Sequence, residues 1–294
     1  MTREPGEAAG EAAVAFDADL GHFAPTGSMI DQGESSYRRA AQALAAGRFE
    51  IAAGLGRYVV EEAREGHELY AAWRDQTRRY LIREGVAKDI VAAEDARLGE
   101  LLRLADGAPF DADRRWAEFK QLIDAFVFSC GAGHADGAAA QLEEARLSWR
   151  DTHDRACDWV YGLQDAVVRH LGEACIGPLW DEMMAPMYET YDRYDTARNP
   201  WPQSIRRLVL VAAESLRGHL SGPGRMGDIE ITEEADRWLL SFDPCGSGGR
   251  TYRDDAAEGC TPRMAPPYDF AVTEQEHDWV WNKKGVCVYC VHCC

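Results

Sequence analysis

Nowhere in the 294-residue chain is there a run of about 18 apolar residues, so no segment reads as a membrane span. Basic residues are in short supply: 32 Lys and Arg face 50 Asp and Glu, for a formal charge of -18. A field of that sign repels nucleic acid and anionic lipid, and no basic stripe overrules it locally. The opening stretch, residues 1–21, carries acids where a secretion signal needs bases and lacks a compact apolar core. The expectation is therefore a cytoplasmic protein with neither a nucleic-acid nor a membrane partner. Several catalytic signatures are missing as well. There is no Gly-Lys-Ser/Thr phosphate loop, no Gly-x-Gly-x-x-Gly fingerprint, no Gly-x-Ser-x-Gly elbow and no His-Glu-x-x-His pair. The His-x-Glu and Pro-Cys-x-x-Cys pair of zinc deaminases is also lacking.

Cysteine is present in an odd number, nine, without a secretion signal, which argues against a disulfide framework. Cys130, Cys157 and Cys175 stand singly in helical patterns and read as small core residues. The other six, Cys245, Cys260, Cys287, Cys290, Cys293 and Cys294, fall in the last fifty residues or so.

Apolar periodicity divides the chain. Residues 1–33 are rich in Ala, Gly and acids without a period and read as a mobile leader. Residues 34–221 form a helical domain. Apolar positions recur at intervals of three and four from Ser35 to about Arg103, and Asp106–Pro109 breaks the pattern. Asp111 or Asp113 then caps a helix carrying Trp116, Phe119, Ile123 and Phe126. A long stripe runs from Leu142 through Trp149, His153, Val160 and Val167 to Leu171. Two further helices carry Trp180 to Tyr191 and, after a Ser204 cap, Ile205 to Leu216. Residues 222–294 change character. Asp228–Thr232 and Arg237–Asp243 read as two short strands, followed by Gly, Pro, Asp and Cys with little periodicity. The expected class is α+β: a mainly helical domain followed by a small β/loop Cys-rich metal-binding module.

The chemistry-bearing motif is Cys287-x2-Cys290-x2-Cys293, with His292 and Cys294 beside it. Two thiolates separated by two residues chelate one metal because the turn between them brings both sulfurs to one side. Cys245, in a turn after a strand, is the first candidate for a ligand from elsewhere; Cys260 and His277 follow. The motif is compatible with a structural zinc knuckle, with a zinc or iron site holding an open catalytic position, with an iron-sulfur cluster, or with redox-active thiols. In Cys245-Gly-Ser-Gly-Gly-Arg250, consecutive glycines either form an anion nest beside a carboxylate-anchoring Arg250 or simply let the cysteine reach its metal. His277 is a ligand or general base on one view and a surface histidine on the other. His153 falls on the apolar stripe and reads as a buried, satisfied side chain, while His170 and His219 read as surface positions. Met183, Met184 and Met187 read as core.

The pair Asp243–Arg250 and His277–Cys293 resembles a group of uncharacterised bacterial proteins with a helical front and a Cys-rich end. It is also similar to L-2-amino-thiazoline-4-carboxylic acid hydrolase-like proteins. The resemblance covers about 50 C-terminal residues. It implies ring opening, or a related reaction, of a small carboxylic acid containing sulfur or nitrogen. The expected function is thus a metal-dependent hydrolase or lyase acting on a small carboxylate-bearing molecule. Cys245, Cys287, Cys290, Cys293 and His292 would bind zinc or iron, with His277 and Arg250 as catalytic groups. The alternatives are a binding or assembly protein with a closed zinc site, and an iron-sulfur redox protein.

Overall fold

The structure, a computed structural model, describes residues 13–18, 20–191, 197, 201–247, 250 and 275–276. The described part is mainly helical with a few small strands. Its strands are β1 (Val14–Asp17), β2 (His22–Pro25), β3 (Glu230–Glu233) and β4 (Trp238–Ser241). Its helices are α1 (Ser36–Ala45), α2 (Phe49–Arg83), α3 (Lys88–Leu101), α4 (Ala112–Gly131), α5 (Ala135–Leu171), α6 (Ile176–Tyr191) and α7 (Trp201–Gly218). No helix among the described residues is long and apolar enough to cross a membrane.

The helix ends follow local chemistry. Ser35 accepts from the Arg38 amide at the start of α1, and Asp111, rather than Asp113, accepts from the Arg114 amide at the start of α4. Gly47 and Gly85 divide the helical run of residues 35–103 into three helices, each glycine taking a positive φ that ends the preceding one. Ser204 lies inside the first turn of α7, not before its start, where an N-cap stands.

Two long helices, α2 and α5, carry the core. At 35 and 37 residues they extend about 50 Å each. One cluster packs Leu55, Val59, Phe119, Phe126, Leu142 and Trp149 from α2, α4 and α5. The other packs Tyr70, Trp73, Val160, Tyr161, Trp180 and Met183 from α2, α5 and α6. Burying each such side chain stabilises by about 1.5–3 kcal/mol before entropy is counted. A third, smaller cluster joins α7 to the β3–β4 hairpin through Val209, Ala213, Ile229 and Ile231. The hairpin is antiparallel, pairing Glu230 with Ser241 and Glu233 with Trp238.

The leader expected over residues 1–33 is corrected where it is described. Residues 14–25 form an antiparallel hairpin, pairing Val14 with Pro25 and Asp17 with His22. This segment is tied to the C-terminal half. Asp17 accepts from Arg206 at 2.9 Å, His22 meets Glu214 at 2.9 Å, and the Ile229 amide donates to Gly33 at 2.8 Å. Gln32 is buried, and its carbonyl accepts from Arg217. These partners lie about 190 residues away in sequence, so no local pattern announces them.

Candidate functional site

The two large apolar clusters meet along α2 and α5, and a buried polar chain runs through the junction. On α5, Trp149 belongs to one cluster and Cys157 to the other; His153, between them, is fully buried. On α2, Ala63 and Tyr70 stand on either side in the same way. His153 Nδ1 lies 2.9 Å from Asp154, and its Nε2 lies 3.0 Å from His219 Nδ1. The Tyr70 hydroxyl is 3.1 Å from His219 Nδ1 and 3.4 Å from His153 Nε2.

Two arginines fix the charge at the inner end. Arg225, almost wholly buried, grips Asp154 with two hydrogen bonds of 2.6 Å. Arg250 donates to the Asp154 backbone carbonyl at 3.3 Å, approaches the carboxylate at 3.5 Å, and also binds Asp158. Burial alone would raise the pKa of Asp154, but the charges of Arg250 and Arg225 and the hydrogen bonds from Arg225 and His153 outweigh it. The carboxyl is held well below its ordinary range. Burial lowers the pKa of His153 against the pull of Asp154, so the imidazole stays neutral at ordinary pH.

These conditions order the protons. A permanent carboxylate accepts the Nδ1–H of His153, so the Nε2 of that neutral ring is an acceptor. His219 then donates its Nδ1–H to His153, and its lone pair resides on Nε2. His219 also lines a cavity of about 310 Å³. The wall of that cavity is mostly apolar, with Leu69, Trp73, Met184, Val211 and Phe242, and Ser221, Cys245 and Ser247 join His219 there.

The turn after α7 places these groups. Leu220 and Arg225 adopt φ of 49° and 52°, costing on the order of 1 kcal/mol each, and Gly222 takes 82° without that penalty. The tight path swings His219 to the cavity and drives Arg225 inward onto Asp154. A second turn clamps onto the first: Gly246 donates to Ser221 Oγ at 3.0 Å, and Gly222 donates to the Pro244 carbonyl at 2.8 Å. A Cβ at Gly246 would stand 1.7 Å from the His219 carbonyl oxygen, so only glycine lets Cys245 come alongside.

Among the sequence-predicted site residues, Cys245 is half-buried on the cavity wall, 3.8 Å from Ser247 Oγ. Arg250 lies outside that wall, engaged with Asp154 and Asp158. His277, Cys287, Cys290, His292 and Cys293 lie outside the described residues. Among the described residues no group of three His, Cys, Asp or Glu stands close enough to hold a metal. Cys130 and Cys157 are buried and Cys175 half-buried; burial pushes the Cys157 thiol up to about 12. Met183 and Met184 are buried, and Met184 also faces the cavity.

The surface expectation for His219 is corrected: it is half-buried and at the centre of the constellation. No sequence pattern marks Tyr70, Arg225 or His219 as functional. They lie 83, 71 and 66 residues from their α5 partners. The available signal was the His153-Asp154 doublet on an apolar stripe, since a buried ion pair needs further partners. The chain matches no protein-family model, no curated protein and no solved structure.

Proposed function

We propose that this protein is an enzyme of the hydrolase or lyase type acting on a small molecule in the cavity beside His219, which serves as general base. One observation carries the proposal: an Asp154–His153–His219 chain, with His153 fully buried at its centre, ends at a largely apolar cavity. An ionised, doubly clamped carboxylate behind two imidazoles stabilises the cation that forms when His219 takes a proton. The proton comes from water in a hydrolysis or from an acidified C–H in an elimination. The thiol of Cys245 and the hydroxyls of Ser221 and Ser247 are at hand on the same wall to hold the reacting group.

The test has two parts. In ¹⁵N-histidine spectra, neutral His219 should be the Nδ1–H tautomer. In a panel of small esters, amides and cyclic amides, the best turnover should fall about 10²-fold or more in His219→Gln. Turnover that ignores His219→Gln, or a neutral His219 protonated on Nε2, would falsify the assignment.

A second reading keeps the thiolate-bound zinc or iron expected from the cysteine pattern. It is favoured by Cys245 on the wall it shares with His219, and by the anchored Nδ1–H of His219, which is how a ligand imidazole is commonly held. Bound there, the metal would act as a Lewis acid toward the same substrate. Elemental analysis of anaerobically purified wild type and Cys245→Ala decides it: metal retained by the former and lost from the latter supports the metal, and metal-free wild type rejects it.

A further inference from the structure

The cavity wall itself speaks to the charge of its occupant. Among the described lining residues there is no Lys or Arg, and the one carboxyl side chain is Glu65. Arg250, the carboxylate anchor expected from the sequence, is spent on Asp154 and Asp158. Glu65 stands on α2 one turn before Leu69 and two before Trp73, and all three line the cavity. Residues spaced by four share a helix face, so these side chains form a stripe about 12 Å long, acidic at one end and apolar along the rest.

Glu65 has no ion-pair partner among the described residues. Its side chain is exposed, yet the protein packed around it on the cavity wall desolvates the carboxyl. That desolvation, with Glu214 nearby, raises its carboxyl above the ordinary range against the opposing pull of His22. The neighbouring acid, Glu214, is already engaged by His22 at 2.9 Å. A lone carboxylate at the rim of an apolar cavity is stabilised by an incoming cation and destabilised by an incoming anion. The chain's charge of -18 works in the same direction at longer range.

We infer that the cavity takes a small amphipathic ammonium compound, its cationic nitrogen at Glu65 and its apolar body along Leu69, Trp73 and Met184. This rests on the cavity being the substrate site, and Glu65 is then the specificity-determining residue at its rim. The carbon skeleton delivers the reacting group to the His219 end.

The experiment is calorimetric titration of the full chain at about pH 7.5, where an alkylamine with a lysine-like pKa is charged. The probes are n-hexylammonium, n-hexanoate and n-hexanol. Hexylammonium is expected to bind about tenfold or more tightly than hexanoate. In Glu65→Gln the two should come within about twofold, with hexanol unaltered, since only the charge preference is removed. Hexanoate binding as well as the amine, selectivity that survives Glu65→Gln, or binding of none of the three overturns the inference. The catalytic proposal fails separately: amine selectivity in a protein whose turnover ignores His219→Gln leaves the binding assignment standing and removes the base. Turnover lost in His219→Gln together with a preference for hexanoate does the reverse.

Discussion

Replacing Arg225 by methionine takes two 2.6 Å hydrogen bonds from Asp154 and leaves that carboxylate to Arg250 and the His153 imidazole. Breaking one side of a buried pair costs about 3–5 kcal/mol, because the remaining charge stays desolvated. Arg225→Met is therefore expected to lose about 3 kcal/mol in urea unfolding. The double variant Asp154→Asn, Arg225→Met should recover part of the loss, since it strands no charge. Equal losses in single and double variants would show that Arg225 stabilises by packing alone. Asp154→Asn by itself bears on function. An amide can donate to His153 where the carboxylate only accepts, so the ring is free to adopt the other tautomer. His153 then presents an N–H to His219 and the donor chain reverses. The ¹⁵N signal of His219 should move to the Nε2–H form, with turnover falling alongside; an unchanged tautomer would disconnect Asp154 from the site.

Helix α2 lines the cavity and holds both cores, so its glycines report on packing across its length. Gly54 and Gly56 are two residues apart and face different surroundings. A Cβ at Gly54 meets nothing within 4 Å, whereas one at Gly56 would stand 2.2 Å from the Phe126 ring. Alanine at Gly54 removes chain entropy from the unfolded state and should stabilise by about 0.5–1 kcal/mol. Alanine at Gly56 forces α2 and α4 apart and should destabilise by about 1–3 kcal/mol. Denaturant midpoints of the two variants should move in opposite directions. A shift of the same sign in both would mean that the α2–α4 contact yields without cost. These elements were the legible part of the sequence. The stripe through Trp149, Val160 and Val167 and the Asp111 cap depend on neighbours three or four residues away, and the helices appear where that periodicity places them. The β1–β2 hairpin is not legible because it is held by Asp17 on Arg206 and His22 on Glu214, contacts to α7 about 190 residues away. The site divides in the same way. Cys245 stands out through its turn, whereas His153, on its stripe, reads only as a buried, satisfied side chain, and buried it is. His219 does not stand out, because its role depends on the left-handed turn that follows it and on a carboxylate in another helix.

The whole molecule carries its acid sensitivity in the same ion pairs. Glu94, hydrogen-bonded first by Arg169 and then by Arg97 and His170, has its pKa lowered to about 2. Asp154 lies low as well, and so does Asp228, where Arg38 outweighs burial. For each, the unfolded chain binds a proton at a higher pH than the folded one. Their stabilisation is complete above the ordinary carboxylate range and disappears as pH falls through the folded value. His153 and His67 act one step earlier. Burial lowers both, so below about pH 6.5 the unfolded chain gains protons that the folded protein refuses. Glu62 and Glu65, raised first by burial, oppose the trend, because the folded protein binds their protons more readily. The lowered groups outnumber them and include the doubly clamped Asp154. Thermal stability should therefore be level near neutrality, begin to decline below about pH 6.5, and fall steeply between about pH 4.5 and 2. Glu94→Gln, which strips a largely buried carboxylate from Arg169, should cost about 2 kcal/mol at neutral pH. It cannot lose that carboxylate a second time, so its melting temperature should converge on that of the wild type as the acid limb is descended. Parallel curves for the two proteins down to about pH 2 would mean that Glu94 is not ionised against Arg169 in solution, and the acid limb would then rest on Asp154 and Asp228.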